Sequence, residues 1–196
     1  MLHGEDIRLE RGGCILAADF SLALGAGERG LVVGPNGSGK STLAAGICRL
    51  LPISGRITRP DFIGYAPQEP VFPSHRRAGE YLRELAALGG ARAQASAQAE
   101  MALRQFELTA AAPRRIGELS RGWRQRLNLA RAWLGAPGLV VLDEPQTALD
   151  PEGMAALVRA MSDNEAPAVL IVAPPGVGCE ALAPVLLRLN GAGGAR

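Results

Sequence analysis

The sequence predicts an α/β fold in which a mostly parallel sheet forms the core. One observation is that short apolar runs typical of buried strands alternate with helical segments in the second half of the chain. The other is the run Arg29–Val33, a strand pattern that leads into a glycine-rich loop and then into a helical segment. This order is typical of parallel sheets that bind ligands at the carboxyl ends of their strands.

The N-terminal part predicts a small antiparallel β subdomain. Short alternating segments at 7–9, 15–17 and 20–24 are typical of strands, and the glycines at 12–13 and 25–27 supply turns. Beyond the glycine-rich loop, the pattern predicts a helix over 41–51 and strands over 55–58 and 62–66.

A helical subdomain is predicted as an insertion into this core. Residues 78–118 are rich in Ala, Arg, Glu, Gln and Leu and contain almost no β-branched residues. Apolar residues recur there at helical spacing on either side of Gly89-Gly90, namely Tyr81, Leu82, Leu85, Leu88, Met101, Leu103 and Phe106. Surface helices of the core would show the same composition, and the two interpretations are compatible.

The last third of the chain returns to the core pattern. It predicts helices over 122–134 and 153–161 and strands over 139–142, 169–172 and 185–189. We therefore expect a single domain over 1–196, in which 1–68 and 119–196 form the core and 69–118 the helical subdomain.

The glycine-rich loop matches the phosphate-loop pattern GxxxxGK[ST] in full. Its residues are Gly34, Pro35, Asn36, Gly37, Ser38, Gly39, Lys40, Ser41 and Thr42. The glycines let successive backbone N–H groups converge on phosphate oxygens, and the following helix turns the positive end of its dipole toward them. Lys40 is the only lysine in the chain, and a compact ammonium fits between triphosphate oxygens where a broad guanidinium does not. The loop predicts a nucleoside triphosphate site.

Two carboxylates follow the predicted strand at 139–142. Asp143 can hold a metal ion that bridges the phosphates and is shared with the Ser41 hydroxyl. Glu144 is placed to orient an attacking water or to accept its proton. After a phosphate loop and four apolar residues, this pair predicts metal-assisted hydrolysis.

The bulk composition narrows the class of protein. The formal net charge of +2 is too small to predict nucleic acid as a partner. The cysteines, Cys14, Cys48 and Cys179, lack metal-ligand spacing and are expected to be small core residues in a reducing compartment. No apolar run is long enough to span a bilayer, and no secretory signal pattern is present, so we expect a cytosolic protein.

In this arrangement the chain resembles the ATP-binding subunits of ABC transporters. Gln68 occupies the position of that family's glutamine loop, and residues 119–123, Leu-Ser-Arg-Gly-Trp, occupy the position of its LSGGQ motif. Asp143-Glu144-Pro145 and Ala148-Leu149-Asp150 match the two segments that follow. The resemblance covers nearly the whole chain.

The resemblance implies ATP and Mg²⁺ as cofactors and a head-to-tail pair of subunits with ATP between them. Ser120 and Gly122 of one subunit would contact the γ-phosphate bound to the other. The resemblance assigns catalytic roles to Glu144, Gln68 and Asp150, and metal contacts to Ser41, Gln68 and Asp143. The helical subdomain would bind an integral membrane subunit, which places the protein on the cytoplasmic face of the cell membrane.

Three departures from the family pattern stand out. Pro174 takes the position of the histidine that contacts the γ-phosphate, which should slow hydrolysis while binding survives. Arg121 and Trp123 replace residues of the LSGGQ motif, and Arg121 either adds charge at the phosphate or lies on the surface. No aromatic residue lies at 10–12, where the family stacks one on adenine, so we expect modest nucleotide affinity.

These departures leave alternatives open. A dimerising or regulatory subunit that binds ATP and barely hydrolyses it fits Pro174, whereas Glu144, Gln68 and Asp150 fit an active ATPase. Homodimer and heterodimer are both compatible with the sequence. Within the family, the short length and the segments 16–24 and 119–134 look most like the haem-export ATPase of cytochrome c maturation.

Overall fold

The computed structural model describes residues 1–89, 92–163, 166–191 and 194–195. The strands in these ranges are β1 (Leu2–Arg11), β2 (Cys14–Leu24), β3 (Arg29–Val33), β4 (Ser54–Thr58), β5 (Ile63–Ala66), β6 (Leu139–Asp143), β7 (Ala168–Ala173), β8 (Val185–Gly191) and β9 (Gly194–Ala195). The α-helices are α1 (Lys40–Ile47), α2 (Ala78–Leu88), α3 (Ala95–Gln105), α4 (Arg121–Ala132) and α5 (Pro151–Ser162).

Two sheets organise the chain. A three-stranded antiparallel sheet has the order β2-β1-β4, and a six-stranded sheet has the order β5-β6-β7-β3-β8-β9. The strands from β5 to β8 in this second sheet are parallel to their neighbours, and β9 is antiparallel to β8. The predicted α/β class, with a mostly parallel sheet and an antiparallel N-terminal part, is confirmed. The division of the chain at 68 and 118 stays a prediction.

The parallel sheet is buried on both faces because different elements cover each face. Leu31 and Val33 of β3 pack in the cluster that contains the apolar residues of α2 to α5. Val32, on the opposite face of the same strand, packs with α1 and the antiparallel sheet. Successive side chains of a strand point to opposite faces, so the run of apolar residues in β3 serves both layers.

Helix α1 is shorter than the predicted 41–51. It ends at Ile47, and Arg49 has a left-handed backbone conformation with φ 62°. The guanidinium of Arg59 donates to the carbonyls of Gly46 (2.5 Å) and Ile47 (2.8 Å), which satisfies acceptors that another helical turn would have used. Leu50 is consequently exposed rather than buried on the helix.

The antiparallel sheet contains longer strands than the sequence predicts. The predicted strands 15–17 and 20–24 form one strand, β2, because the register shifts between them and Asp19 takes a left-handed conformation with φ 58°. Such a bulge keeps both halves on the same partner strand.

Only some of the apolar residues predicted at helical spacing in the helical segment are buried. Leu82 and Phe106 are fully buried, and the Phe106 ring lies 5.3 Å from that of Trp133. Leu88 and Met101 are exposed, because the pair of helices is covered by the core on one side only. Gly89 ends α2, and Gly90 lies outside the described residues.

The cysteines differ from one another in environment. Cys179 is buried and Cys48 half-buried, and burial raises the pKa of these thiols to about 11 and about 12. Cys14 is exposed at the start of β2, so the prediction that all three are core residues is wrong for Cys14.

An ion pair joins α4 to α5. Arg126, whose side chain is only 3% exposed, donates to both carboxylate oxygens of Asp150 (2.8 and 2.6 Å) and to Glu152 (2.9 Å). Asp150 is also the N-cap of α5, because its carboxylate accepts from the N–H of Gly153 at 2.9 Å. The carboxylate thus fixes the start of α5 against α4.

A Gly64→Ala substitution should separate α4 from the sheet. A methyl group on Gly64 of β5 would lie 1.7 Å from the carbonyl oxygen of Ala132, a backbone atom at the end of α4. Overpacking against backbone should cost about 3 kcal/mol of the free energy of unfolding. Urea denaturation measures it. Gly89→Ala is the control, because its methyl would meet Ala86 O at an ordinary 3.5 Å. Equal denaturation midpoints for the two variants would contradict this packing.

An Asp150→Asn substitution should destabilise the protein by about 1–2 kcal/mol at pH 7. It removes the negative charge that pairs with the buried Arg126 but keeps the side-chain oxygen that caps α5. The figure lies below that of a fully buried pair because the Asp150 side chain is 39% exposed. The hydrogen bond from Arg126 lowers the pKa of Asp150 below its ordinary 3.8. The stabilisation is therefore complete above pH 3.8 and is lost as the pH falls through the depressed pKa.

Urea denaturation of wild type and Asp150→Asn at pH 7 and at pH 3.5 measures this difference. Asp61→Asn is a matched control, because Arg49 lies 3.7 Å from a fully exposed carboxylate there. A loss for Asp150→Asn no larger than that of Asp61→Asn, or one that grows as the pH falls, would contradict the assigned ion pair.

Candidate nucleotide site

The candidate site lies where four parallel strands end. Val33 of β3 pairs with Ala173 of β7, and Val172 of β7 pairs with Asp143 of β6. On the other side of β6, Leu142 pairs with Ala66 of β5. The segments that follow these strands therefore meet at one edge of the sheet, which brings together the phosphate loop, Pro174, Glu144 and Gln68.

These segments line one cavity of about 560 Å³. Its lining residues are Arg11, Leu16, Asn36, Gly37, Gly39, Lys40, Ser41, Thr42, Gln68, Glu144 and Pro174. The size falls within the range of small-molecule sites. Most of the predicted phosphate-loop residues and two of the three predicted catalytic residues thus share a cavity.

The phosphate loop takes its shape from its glycines. Gly37 and Gly39 have φ angles of 82° and 96°, in the left-handed region that favours glycine. Gly34 is needed for a different reason, since a methyl group there would lie 2.5 Å from the carbonyl oxygen of Leu189. The loop is closed by a hydrogen bond from the Ser38 N–H to the Pro35 carbonyl at 3.2 Å.

Lys40 begins α1 and is only 5% exposed. Its ammonium donates to the carbonyls of Gly34 (2.9 Å) and Pro35 (3.0 Å), so the side chain folds back along its own loop. Burial lowers the pKa of Lys40, and the carboxylates of Glu144 and Asp143 act in the opposite direction. An ammonium has three N–H donors, and the third is available to an anion in the cavity.

Asp143 is buried beside the loop. Burial raises the pKa of Asp143 to about 6, and a hydrogen bond from Ser41 opposes the rise. Its Oδ1 atom is buried and has no hydrogen-bond partner in the part of the chain that the structure describes. An oxygen of this kind next to a hydroxyl fits a hard divalent cation such as Mg²⁺.

The protein alone offers such a cation few ligands. Within the described ranges, no group of three or more His, Cys, Asp or Glu side chains is placed to hold a metal. Mg²⁺ is commonly bound by one or two carboxylate or hydroxyl oxygens together with substrate phosphates. Asp143 and Ser41 therefore suit a Mg²⁺ site that substrate phosphates complete.

Glu144 sits in a strained backbone conformation immediately after β6. Its φ of 50° is uncommon for a residue with a side chain, and its N–H donates to the Val172 carbonyl at 2.8 Å. The carboxylate accepts a hydrogen bond of 2.9 Å from Nε2 of Gln68. Strain of this kind persists where the surrounding structure imposes it, often at functional sites. Both predicted residues are thus in contact at the cavity.

Pro174 lines the same cavity directly after β7. Proline has neither a side-chain donor nor a backbone N–H, so this wall offers nothing to a phosphate oxygen. The histidine that the family has at this position is therefore missing from the lining of the cavity.

Ser120, Gly122 and Asp150 are not among the residues that line this cavity. Ser120 caps α4 and its Oγ accepts from the Trp123 N–H at 3.2 Å, while Gly122 lies near the carbonyl of Ala148. Asp150 is held by Arg126 and by the start of α5. Within one chain, the structure does not bring these three residues to the phosphate loop.

Arg11 and Leu16 line the cavity from the β1–β2 hairpin. Arg11 lies within 10–12, the segment where the family resemblance places the adenine contact, but it was not named as a site residue. Sequence reasoning missed Leu16, which no local pattern marks, and the turn at Gly12-Gly13 brings the ends of both strands together.

The comparisons with known proteins agree with this geometry. The ABC transporter family matches residues 17–147, well over half of the chain. The chain is 35% identical over 170 residues to the zinc import ATP-binding protein ZnuC of Cereibacter sphaeroides, covering 83% of this chain and 67% of that protein. It is 36% identical over 144 residues to the ZnuC protein of Psychrobacter cryohalolentis, covering 70% and 57% of the two chains.

Two solved structures share the fold. The structure of an ATP-binding subunit of an ABC transporter aligns with a TM-score of 0.85 and 24% identity, over 97% of this chain and 86% of that chain. A dimeric post-hydrolysis state of the ATP-binding cassette MJ0796, bound to ADP and Pi, aligns with a TM-score of 0.83 and 21% identity, over 97% and 94%.

The haem-export prediction finds no support, because the relatives named above are zinc import proteins. The chain spans roughly 57–67% of the length of these two curated relatives. No helix in the described ranges is long and apolar enough to cross a bilayer.

The family match, the parallel sheet and the phosphate loop beside Asp143 and Glu144 lead to one conclusion: the chain belongs to the ABC transporter family.

Proposed function

We propose that this chain hydrolyses ATP, with Mg²⁺ held by Asp143 and Ser41, to drive a transporter in the membrane. The observation that carries the proposal is the placement of Glu144. Its carboxylate lies in the same cavity as Lys40 and Ser41 and is oriented by the 2.9 Å hydrogen bond from Gln68. A carboxylate in this position can hold a water against a bound γ-phosphate and accept its proton.

The metal ion, when bound, supplies charge that stabilises the transferring phosphoryl group. The residues of the chain do the rest. Lys40 and the N–H groups of the loop bind phosphate oxygens, and Ser41 and Asp143 present oxygens to the cation. Gln68 holds Glu144 and loses that hydrogen bond if it turns toward the cation, which would free the carboxylate for water.

The functional site is proposed to require a second subunit. Ser120 and Gly122, at the start of a twelve-residue helix, are suited to an anion but lie away from the phosphate loop of their own chain. A head-to-tail pair would place them against the other subunit's nucleotide. The structural neighbour bound to ADP and Pi is dimeric, which supports the requirement for a second subunit.

The helical segment over 69–118 is proposed to contact an integral membrane subunit, with the chain on the cytoplasmic face of the membrane. The exposed apolar side chains of Val71 and Leu88 support a contact there. Because the relatives are named for zinc import, a cation importer is the first class of transporter to test.

Steady-state ATP hydrolysis tests the proposal. Glu144→Gln keeps the hydrogen-bonding shape of the side chain but removes the base, so kcat should fall by about 10²–10⁴-fold while ATP still binds.

Pro174→His adds a hydrogen-bond donor to the wall of the cavity that lacks one and should raise kcat on the order of tenfold in the same assay. If the site is shared by two copies of this chain, the specific activity should rise with protein concentration.

Glu180→Gln serves as the control, because Glu180 is an exposed carboxylate, lies outside the cavity lining and should leave the rate unchanged. If wild type and Glu144→Gln show the same background rate, the hydrolytic function is wrong. A dimerising or regulatory subunit that binds ATP would then be the better description, as Pro174 by itself would favour.

A further inference from the structure

Helix α4 carries two buried amide side chains that the proposed mechanism does not use. Gln125 is 5% exposed and Asn128 is fully buried. They lie three positions apart, on the same face of the helix. Neither residue lines the cavity of the candidate site, so neither can touch a ligand there. Because a buried amide costs stability unless it is hydrogen-bonded, the partners of these two side chains are the informative feature.

Close packing of α4 on β5 brings Asn128 to the end of that strand. A methyl group on Gly64 of β5 would clash with the carbonyl oxygen of Ala132, the last residue of α4. One turn earlier on the helix, Asn128 Nδ2 donates to the carbonyl oxygen of Pro67 at 2.8 Å. Pro67 follows β5 directly and precedes Gln68, so this hydrogen bond holds the peptide group that leads into Gln68.

Gln125 makes the corresponding contact with the segment that carries Glu144. Its Nε2 donates to the carbonyl oxygen of Pro145, the residue after Glu144, at 3.1 Å. The two amides of α4 also contact each other, because Asn128 Nδ2 donates to Gln125 Oε1 at 3.3 Å. An amide nitrogen has two N–H groups, so Asn128 can serve both of its acceptors at once.

Together these contacts form a closed ring around the catalytic carboxylate. The 2.9 Å hydrogen bond from Gln68 Nε2 to Glu144 completes it. The ring passes through Asn128, Pro67, Gln68, Glu144, Pro145 and Gln125. Its α4 members hold two backbone carbonyls, and they leave the side chains of Gln68 and Glu144 free to turn. The left-handed φ of 50° at Glu144 needs such support from its surroundings.

Asn128 does not satisfy its own hydrogen-bonding capacity. Its Oδ1 atom is buried and has no hydrogen-bond partner within the described part of the chain. An unpaired buried acceptor lowers stability, so an asparagine at this position carries a cost that its two donated bonds only partly offset. Positions that break a packing rule in this way are commonly functional.

We propose that Gln125 and Asn128 are positioning residues for ATP hydrolysis. By holding the carbonyls of Pro67 and Pro145, they keep the two segments at the spacing that lets Gln68 reach the Glu144 carboxylate. Neither side chain touches ATP. The inference rests on the proposed hydrolytic function and names two residues, outside the cavity, on which its rate depends.

Steady-state hydrolysis and calorimetric titration with Mg²⁺-ATP test the inference on Asn128→Leu and Gln125→Met. Each substitution replaces an amide with an apolar side chain of similar size. The kcat of each variant should fall about tenfold, because a small displacement of a catalytic group is costly. The Kd for Mg²⁺-ATP should stay within about twofold of wild type, since the phosphate loop is unchanged. If Asn128→Leu does not fold, Gln125→Met alone carries the test.

Leu129→Ala is the matched control, because Leu129 is a fully buried residue of the same helix and lies outside the ring. It should lower the urea denaturation midpoint through the cavity it leaves and keep kcat within about twofold of wild type. A wild-type kcat in folded Asn128→Leu and Gln125→Met would overturn the inference. So would a fall in kcat for Leu129→Ala as large as theirs, since loss of stability alone would then explain it.

A double variant tests whether Asn128 acts through Gln68. Added to Gln68→Ala, Asn128→Leu should lower kcat by no more than about twofold, because the side chain that it positions is already absent. A further loss as large as that of Asn128→Leu in wild type would overturn this role. If wild type is no faster than Glu144→Gln, the proposed hydrolysis itself fails, and that result differs from equal rates of wild type and Asn128→Leu.

Discussion

Two hydrogen bonds from the Lys40 ammonium, to the carbonyls of Gly34 and Pro35, tie the start of α1 to the end of β3. They give the phosphate loop a closed shape around a positive charge that is almost wholly buried. The other residues of the site, Gln68, Glu144 and Pro174, line the cavity together with this loop. The parallel pairing of β3 with β7 and of β7 with β6 carries Glu144 to the same cavity.

The buried charges of the site oppose one another. Burial disfavours the charged forms of both Lys40 and Asp143, and each group partly relieves the other. Asp143, with a pKa of about 6, would be deprotonated fully by a cation that needs its oxygens. The site is thus electrostatically suited to a polyphosphate with its metal, which brings both signs of charge.

In the proposed function, binding and hydrolysis would depend on different parts of the chain. The phosphate loop and Asp143 are complete within one chain, whereas Pro174 leaves one wall of the cavity without a donor. Ser120 and Gly122 would complete the site only from another subunit. Slow hydrolysis by an isolated chain and faster hydrolysis in an assembly are therefore compatible with the same structure.

Features encoded by contiguous residues could be predicted from the sequence, whereas features that depend on distant contacts could not. The loop at 34–42 and the Asp143–Glu144 pair are contiguous patterns, and both lie where the sequence predicts. The predicted end of α1 was wrong because Arg59, twelve residues beyond Ile47, satisfies the last carbonyls of the helix.

Contacts between distant residues account for what the sequence did not predict. Arg126 and Asp150 are 24 residues apart, and the pairing of β1 with β2 places Leu16 beside the loop. No local pattern encodes such contacts. The exposure of Leu88 likewise depends on which side of α2 the core covers, which periodicity alone does not specify.

The most direct test of a triphosphate site built around Lys40 is the affinity for Mg²⁺-ATP of wild type, Lys40→Arg and Lys40→Met, measured by calorimetry. A lysine-specific cradle predicts that Lys40→Arg loses about 10- to 100-fold in affinity, as Lys40→Met does, since the broad guanidinium cannot reproduce the hydrogen bonds of the ammonium. Binding of ATP by Lys40→Arg within twofold of wild type would contradict it.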